Sequence, residues 1–392
     1  MFLDSSKFSS CYIRSPVVRD YSNHVSNTRF ISEGTTLVAL LQEIDLLDAY
    51  IQYEVLFKHA SSLLKNNQTI DAFNVIFKIW MDPKIVPALL LRECFYAGQV
   101  ILPAWEHGGP LFSHSLPKKL GGTRPILVPN KQTRICMGAV NAILQASCES
   151  WHPHTTGFRP SCGTLTAVDM LADKIKVTLR THGRAIIVSF DIAKAFNSVH
   201  VDHLFNTLHL NQLPHSMKHH MWQWQHLNTK SGTTGDVIRR PLLGLVQGFP
   251  YSPTLFAWYL DALVGKGSEF IAYADNFVGV FESDWDAQNA LARIQQKLAA
   301  ASLVVAPHTI KFHTQRFERT SYHWLGHEIK LPTVYVQNAV YCTPRVVQES
   351  SCLTFNQWVT LLKKSQWLHN ALHRDWRFST PASQARPFTK II

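Results

Sequence analysis

The chain has 392 residues, 46% of them apolar, which is enough for two or three packed subdomains and too apolar for a disordered tail. Lys plus Arg number 38 against 27 Asp plus Glu, a net charge of +11 that points to a polyanionic partner without choosing RNA, DNA or a membrane surface. Seven cysteines with no CxxC pair argue against a zinc ribbon or a disulfide framework and fit a reducing cytoplasm.

Residues 1–34 are polar, without a period, and lack the apolar core of a signal peptide. From Thr35 to Leu64 the spacing of Leu37, Leu40, Leu41, Ile44, Leu47, Ile51 and Val55 predicts a helix, and a second helical stretch covers 69–98. Gly and Pro punctuation makes 99–123 a loop leading to a small sheet, whose first strand is RPILVP, 124–129. Helical patterns follow at 134–148 and, after the turn GFRPSC, at 163–180. AIIVSF, 185–190, is a continuous β-branched run of the kind buried on both faces, and it ends at Asp191. Pro253 opens a helix to about Leu263. Two apolar runs, 270–273 and 277–281, flank Ala274-Asp275-Asn276 and read as a hairpin. An amphipathic helix, 284–301, short strands to Val336 and a helical tail at 354–378 complete the chain. From Pro307 onward eleven Lys and Arg stand against four acids, with Trp324, Trp358, Trp367 and Trp376 interleaved. That suits phosphates and stacked bases, and equally a helical region with Trp in its core. No apolar run approaches the roughly 20 residues that cross a bilayer, so no membrane is expected.

Asp191 at a strand end and Asp275 at a hairpin tip each have an ordinary reading, as a cap and a turn residue. Side by side on one sheet they would repel unless a cation lay between them. Mg²⁺ is the natural ion, held by one or two carboxylates plus substrate phosphates. Two such ions would serve the attacking and leaving oxygens of a phosphoryl transfer.

Seven segments in order carry a resemblance. VSFDIAKAFNSV (188–199), GLVQGFPYSPTLFAWYL (244–260) and YADN (273–276) resemble the palm motifs of reverse transcriptases, in the form of the bacterial group II intron-like branch. PKKLGGTRPILVP (117–129) and GFRPSCGTLTAV (157–168) resemble the fingers motifs. LVVAPHTIKF (303–312) is similar to the lysine-bearing motif and HWLGHEI (323–329) to the primer grip.

The resemblance implies an α+β right-hand polymerase: an N-terminal helical extension (1–98), fingers (99–184), a palm with an antiparallel sheet (185–330) and a short helical thumb (331–392). It implies two Mg²⁺ ions, with Mn²⁺ as an alternative, on Asp191, Asp275 and the Ile192 backbone. Catalytic roles fall to Asp191, Asp275, Asn276 and Lys311. Nucleotide contacts fall to Lys118, Lys119, Arg124, Arg159, Phe196, Gln247 and Gly248, and the primer grip to Trp324, Leu325 and Gly326. Phe196 in that position would clash with a 2′-hydroxyl and select deoxynucleotides, although the same spacing suits a core ring. The family pattern is Tyr-x-Asp-Asp; Asn276 replaces its last carboxylate and implies a weaker metal position.

The implied partners are dNTPs, an RNA template and a DNA product, with a partner protein or a second copy compatible. Retron signatures and an HNH-like pattern are absent from the sequence, and no maturase-length segment follows 330. The nearest type by elimination is the defense-associated reverse transcriptase (DRT) of bacteria, cytoplasmic and working with a non-coding RNA in antiviral defense. The alternatives are a template-independent or protein-primed polymerase, and an RNA-binding scaffold of maturase kind.

Overall fold

The computed structural model describes residues 46–97, 103, 105, 109–117, 123–160, 162–231, 237–238, 244–316, 321–330 and 341–342. Lys118, Lys119, the helix expected at 354–378 and all of the expected thumb save Tyr341 and Cys342 lie outside these residues.

The chain opens with α1 (Leu46–Lys65), α2 (Thr69–Met81) and α3 (Ile85–Ala97). Within α1 the buried face is Ala49, Tyr53, Phe57, Ala60 and Leu64, whereas Ile51 and Val55, expected on the apolar stripe, are 51% and 62% exposed. Two aromatic rings bury more apolar area than two aliphatic side chains, so the helix turns its ring-bearing face inward. The continuous helix expected over 69–98 is two helices. Pro83 supplies no backbone donor, and Asp82 Oδ1 accepts from the amides of Lys84 (2.8 Å) and Ile85 (3.0 Å), ending one helix and capping the next.

The stretch 99–123 contains a strand, β1 (Leu111–Pro117), which pairs antiparallel with β2 (Thr123–Val128). Only Leu111 of β1 is buried, so no alternating pattern marked it as a strand. Next come α4 (Lys131–Leu144), whose cap Asn130 accepts from the Thr133 amide at 2.7 Å, and a 3₁₀ segment, Gln145–Ser150. Then follow α5 (Thr164–His182), β3 (Arg184–Asp191), the single turn α6 (Ala195–Ser198), α7 (Val201–Thr207), α8 (His215–Gln225), β4 (Thr229–Ser231) and β5 (Val237–Ile238). The order β2-β1-β4-β5 makes a four-stranded sheet, with β1 and β4 parallel. After α9 (Ser252–Leu260) and a π turn (Asp261–Gly265) come β6 (Phe270–Tyr273), β7 (Asn276–Phe281), α10 (Asp284–Ala300) and β8 (Lys311–Arg316). The hairpin β9 (Ser321–Trp324) and β10 (His327–Lys330) then pairs with β11 (Tyr341–Cys342).

The central sheet, β6-β7-β3-β8, is antiparallel throughout. The apolar run of β3 is buried on both faces, as a continuous run requires. Ala185 and Ile187 pack with α5, Trp324 and Ile329 in one core; Ile186, Val188 and Phe190 join α9, α10 and the first three helices in another. That second core runs from Ala49 to Val305, so the N-terminal helices share a core with the palm.

Candidate active site

The pairing of β3 with β7 sets Asp191 directly opposite Asn276, and the Ile192 amide donates to the Asp275 carbonyl at 3.0 Å. Asp191 at the end of β3 and Asp275 in the turn before β7, remote in sequence, thus lie next to each other. The hairpin is closed by a two-residue turn, with Ala274 at φ 55°. Strand pairing resumes at Asn276 rather than at the expected Phe277.

Both carboxyls are half-buried, and both are pushed above the ordinary Asp range. For Asp191 burial is the larger cause and the charge of Asp275 the next; Lys311 and His308 oppose the rise. For Asp275 burial dominates, opposed by its own backbone amide, the Arg124 guanidinium and the Asn276 side chain. Asn276 Nδ2 donates to Asp275 Oδ1 at 3.2 Å. Arg124, on β2, acts electrostatically on Asp275, and Lys311, on β8 and paired with Ser189 of β3, acts on Asp191. Thr309, which the sequence reading passed over, fixes the strand end: its Oγ1 accepts from the Asp191 amide at 2.9 Å and donates to the Ala306 carbonyl at 2.7 Å. Only its place two residues before Lys311 marked it.

Beside the carboxylates the backbone is packed tightly. Gly248, at φ 125°, lies so close to β2 that an added Cβ would meet the Leu127 carbonyl oxygen at 2.1 Å. The Leu127 amide donates to the Gln247 carbonyl at 2.8 Å, so the Gln247-Gly248 turn is pinned to the fingers strand that carries Arg124. The Gln247 side chain donates to Asn197 Oδ1 at 3.3 Å. Phe196 stacks on Phe256 (4.5 Å, 25°) and meets Phe158 edge-on (6.2 Å, 79°), yet stays partly exposed. It is thus a ring packed against the core and only partly covered.

The residues leading into GFRPSC are hydrogen-bonded to the β6–β7 hairpin. Thr156 donates from both its amide and its hydroxyl to the Ala272 carbonyl, each at 2.9 Å, and the Ala272 amide donates to the His154 carbonyl at 2.8 Å. Gly157 has no room for a side chain, since a Cβ would meet the Ala274 nitrogen at 2.1 Å. Arg159 Nη1 donates to the His152 carbonyl at 3.3 Å, so its head is engaged locally. Half-buried Asp261 accepts from the His152 amide (2.8 Å) and from Thr155 Oγ1 (2.6 Å), tying this loop to the end of α9. In the β9–β10 hairpin, Trp324 is 7% exposed and belongs to the core, while Leu325 and Gly326, both at positive φ, form the turn.

No cluster of three or more His, Cys, Asp or Glu side chains that could cage a metal exists among the described residues. The donors present are two adjacent carboxyls, with the Ile192 carbonyl next to Asp191 in the chain. Such a sparse oxygen set fits Mg²⁺, which binds through one or two carboxylates and completes its shell with water and substrate phosphates.

An antiparallel sheet with two neighbouring carboxyls at its β3–β7 junction, and with the charges of Arg124 and Lys311 acting on them, is suited to holding divalent ions and phosphate groups. Residues 116–329 match the family model described as reverse transcriptase (RNA-dependent DNA polymerase). A reverse transcriptase-like protein of Chlamydomonas reinhardtii is 39% identical over 91% of this chain and 95% of its own length. A Pol polyprotein from the type-1 retrotransposable element R2 of Nasonia vitripennis is 31% identical over 33% of this chain and 14% of its own. Among solved structures, a Candida albicans telomerase with a fragment of telomeric RNA aligns at a TM-score of 0.47 and 13% identity, over 71% of this chain and 52% of that one. The chain belongs to the reverse transcriptase family of RNA-directed DNA polymerases.

Proposed function

We propose that the chain extends a DNA primer on an RNA template, adding dNTPs by two-ion phosphoryl transfer at Asp191 and Asp275. The observation that carries this reading is the β3–β7 register, which makes neighbours of those two carboxylates beneath the charges of Arg124 and Lys311. Bound divalent ions would activate the primer hydroxyl and offset charge on the leaving pyrophosphate. Asp191, Asp275 and the Ile192 carbonyl would hold them. The bond formed joins the primer 3′-oxygen to the α-phosphorus, and the bond broken releases pyrophosphate. Arg124, with Lys118 or Lys119, offsets triphosphate charge, and Lys311 gives a proton to the pyrophosphate. Gln247 and Gly248 meet the incoming nucleotide through backbone, Phe196 lies under its sugar, and Arg159 steadies the fingers loop. Leu325 and Gly326 present the primer-grip turn, with Trp324 as its buried anchor.

The segments 99–184, 185–330 and 331–392 would act as fingers, palm and thumb. The group II-like and DRT assignment, the non-coding RNA and antiviral defense rest on motif likeness alone, and the relative that spans nearly the whole chain is algal. Asn276 favours a second reading, an RNA-binding scaffold of weak catalysis. Incubating purified protein with a primed RNA template, labelled dNTPs and Mg²⁺ or Mn²⁺ separates the two. Incorporation lost in Asp275→Ala supports the polymerase, and no incorporation with either ion supports the scaffold. Sequencing the product distinguishes a templated copy from template-independent or protein-primed addition.

A further inference from the structure

Helix α8, HSMKHHMWQWQ, carries more rings than its core requires. One face is internal: Met217, Met221 and Trp224 are buried, and Trp105 stacks near both His220 (5.4 Å) and Trp224 (6.3 Å). Trp80 of α2 holds that side from outside the helix, donating from Nε1 to Ser216 Oγ at 2.8 Å. The packing of α8 is therefore complete without its other face.

That other face bears His215, His219 and Trp222, followed by His226, at helical spacing and all exposed; Trp222 is 46% exposed. His215 and His219 lie nearly parallel (6.3 Å, 10°), and Trp222 and His226 sit 4.3 Å apart. Beside them runs a groove of about 440 Å³, lined by His215, Lys218, His219 and Trp222 and, on its other side, by Asp202, Phe205, Asn206 and Asn211, so that one carboxylate faces it as well as one ammonium. Hydrogen bonds build its far wall, Asn211 Nδ2 to Asn206 Oδ1 (2.8 Å) and Lys218 Nζ to the Asn211 carbonyl (2.6 Å). Helix α7, which supplies that wall, is bound in turn to α9, His203 Nδ1 meeting the Tyr259 hydroxyl. The groove thus stands on elements fixed to the polymerase core.

An exposed row of flat rings offers successive π faces, the Asn amides offer donors and acceptors to base edges, and Lys218 offers a charge to the backbone. A protein partner would favour a contiguous aliphatic surface, whereas imidazole, indole, amide and ammonium together match the chemistry of unpaired bases and phosphate. We propose that the outer face of α8 and its groove bind a single-stranded nucleic acid by stacking bases on His219 and Trp222. This deepens the polymerase reading by giving single-stranded template or product a second contact, yet its test does not depend on catalysis.

The experiment is fluorescence anisotropy of the full chain with labelled oligo(U) RNA, oligo(dT) DNA and a blunt duplex, for the native protein, Trp222→Ala, Trp222→Phe and His219→Ala. Trp222→Ala and His219→Ala should weaken single-strand binding at least about fivefold. Trp222→Phe, which keeps a ring, should recover most of the affinity, and duplex binding should not move. Loss on both oligonucleotides marks stacking common to RNA and DNA, while loss on one identifies the strand. Unchanged single-strand affinity in both alanine variants, with unchanged melting temperature, overturns the proposal and leaves the face to a protein partner. Incorporation by Asp275→Ala, measured separately on a primed template, reports on the polymerase reading alone, so a failed polymerase reading and a failed α8 reading give different results.

Discussion

Asp191 and Asp275 both have native pKa values raised above the ordinary Asp range, with burial as the first cause. A carboxyl raised in the folded state favours folding when protonated and costs stability as pH rises through the native range. Asp191→Asn should therefore raise the melting temperature by a few degrees at pH 8 without divalent ions, and the gain should vanish below the ordinary Asp range. Thermal scans across pH check it, and a loss of stability at every pH would contradict it. Added Mg²⁺ should raise the native melting temperature and leave the variant's unchanged, because only the native pair gains by binding. In synthesis, Asp191→Ala and Asp275→Ala should each lose at least about a hundredfold. Asn276→Asp adds a third carboxylate opposite Asp191 and should keep or raise Mg²⁺-dependent synthesis while lowering the melting temperature without ion; a loss of synthesis would mean the hydrogen bond that the Asn276 side chain donates to Asp275 is needed. Phe196→Ala should admit ribonucleotides, measured as the dNTP to NTP incorporation ratio. An unchanged ratio would confine Phe196 to its stack on Phe256.

At the scale of elements, two glycines join the fingers to the palm where no side chain fits. Gly157 abuts the Ala274 backbone in the catalytic hairpin, and Gly248 abuts the Leu127 carbonyl in β2. A methyl in either place forces backbone apart, costing about 1–3 kcal/mol. Gly157→Ala and Gly248→Ala should each lower the melting temperature and reduce synthesis more than tenfold, since a shift of about 1 Å at the reacting groups suffices for such a loss. A variant with native melting behaviour and native synthesis would show that the junction yields freely. The resemblance marked Gly248 as a nucleotide contact, but nothing in the local sequence showed that it abuts Leu127 or that Gly157 abuts Ala274, because those atoms come from elsewhere in the chain.

Across the whole molecule, one core runs from the N-terminal helices to the segment before β8. Tyr53 donates to the Ala142 carbonyl at 2.9 Å, so α1 is bonded to α4 as well as packed on it. Deleting residues 1–98 would expose the buried faces of α4 and the adjoining 3₁₀ segment. The shortened protein should lose cooperative thermal unfolding and bind a hydrophobic dye, whereas a soluble, cooperatively melting product would show that the remaining core suffices. No helix among the described residues is long and apolar enough to cross a membrane.

By itself the sequence determined the antiparallel palm: the doubly buried run before Asp191, the apolar pair around Asp275, and the ordered motifs that identify the family, because those signals are local and periodic. The motif resemblance also singled out Lys311, Gln247 and Phe196 as candidates for the site. Tertiary structure alone decided that β3 pairs with β7 in the register setting Asp191 against Asn276, that β1 is a strand, that α1 turns Tyr53 and Phe57 inward, and that α8 has a spare ring-bearing face. Each of these depends on which distant surface an element meets, and a side chain's partner across a core is not written in its neighbours along the chain.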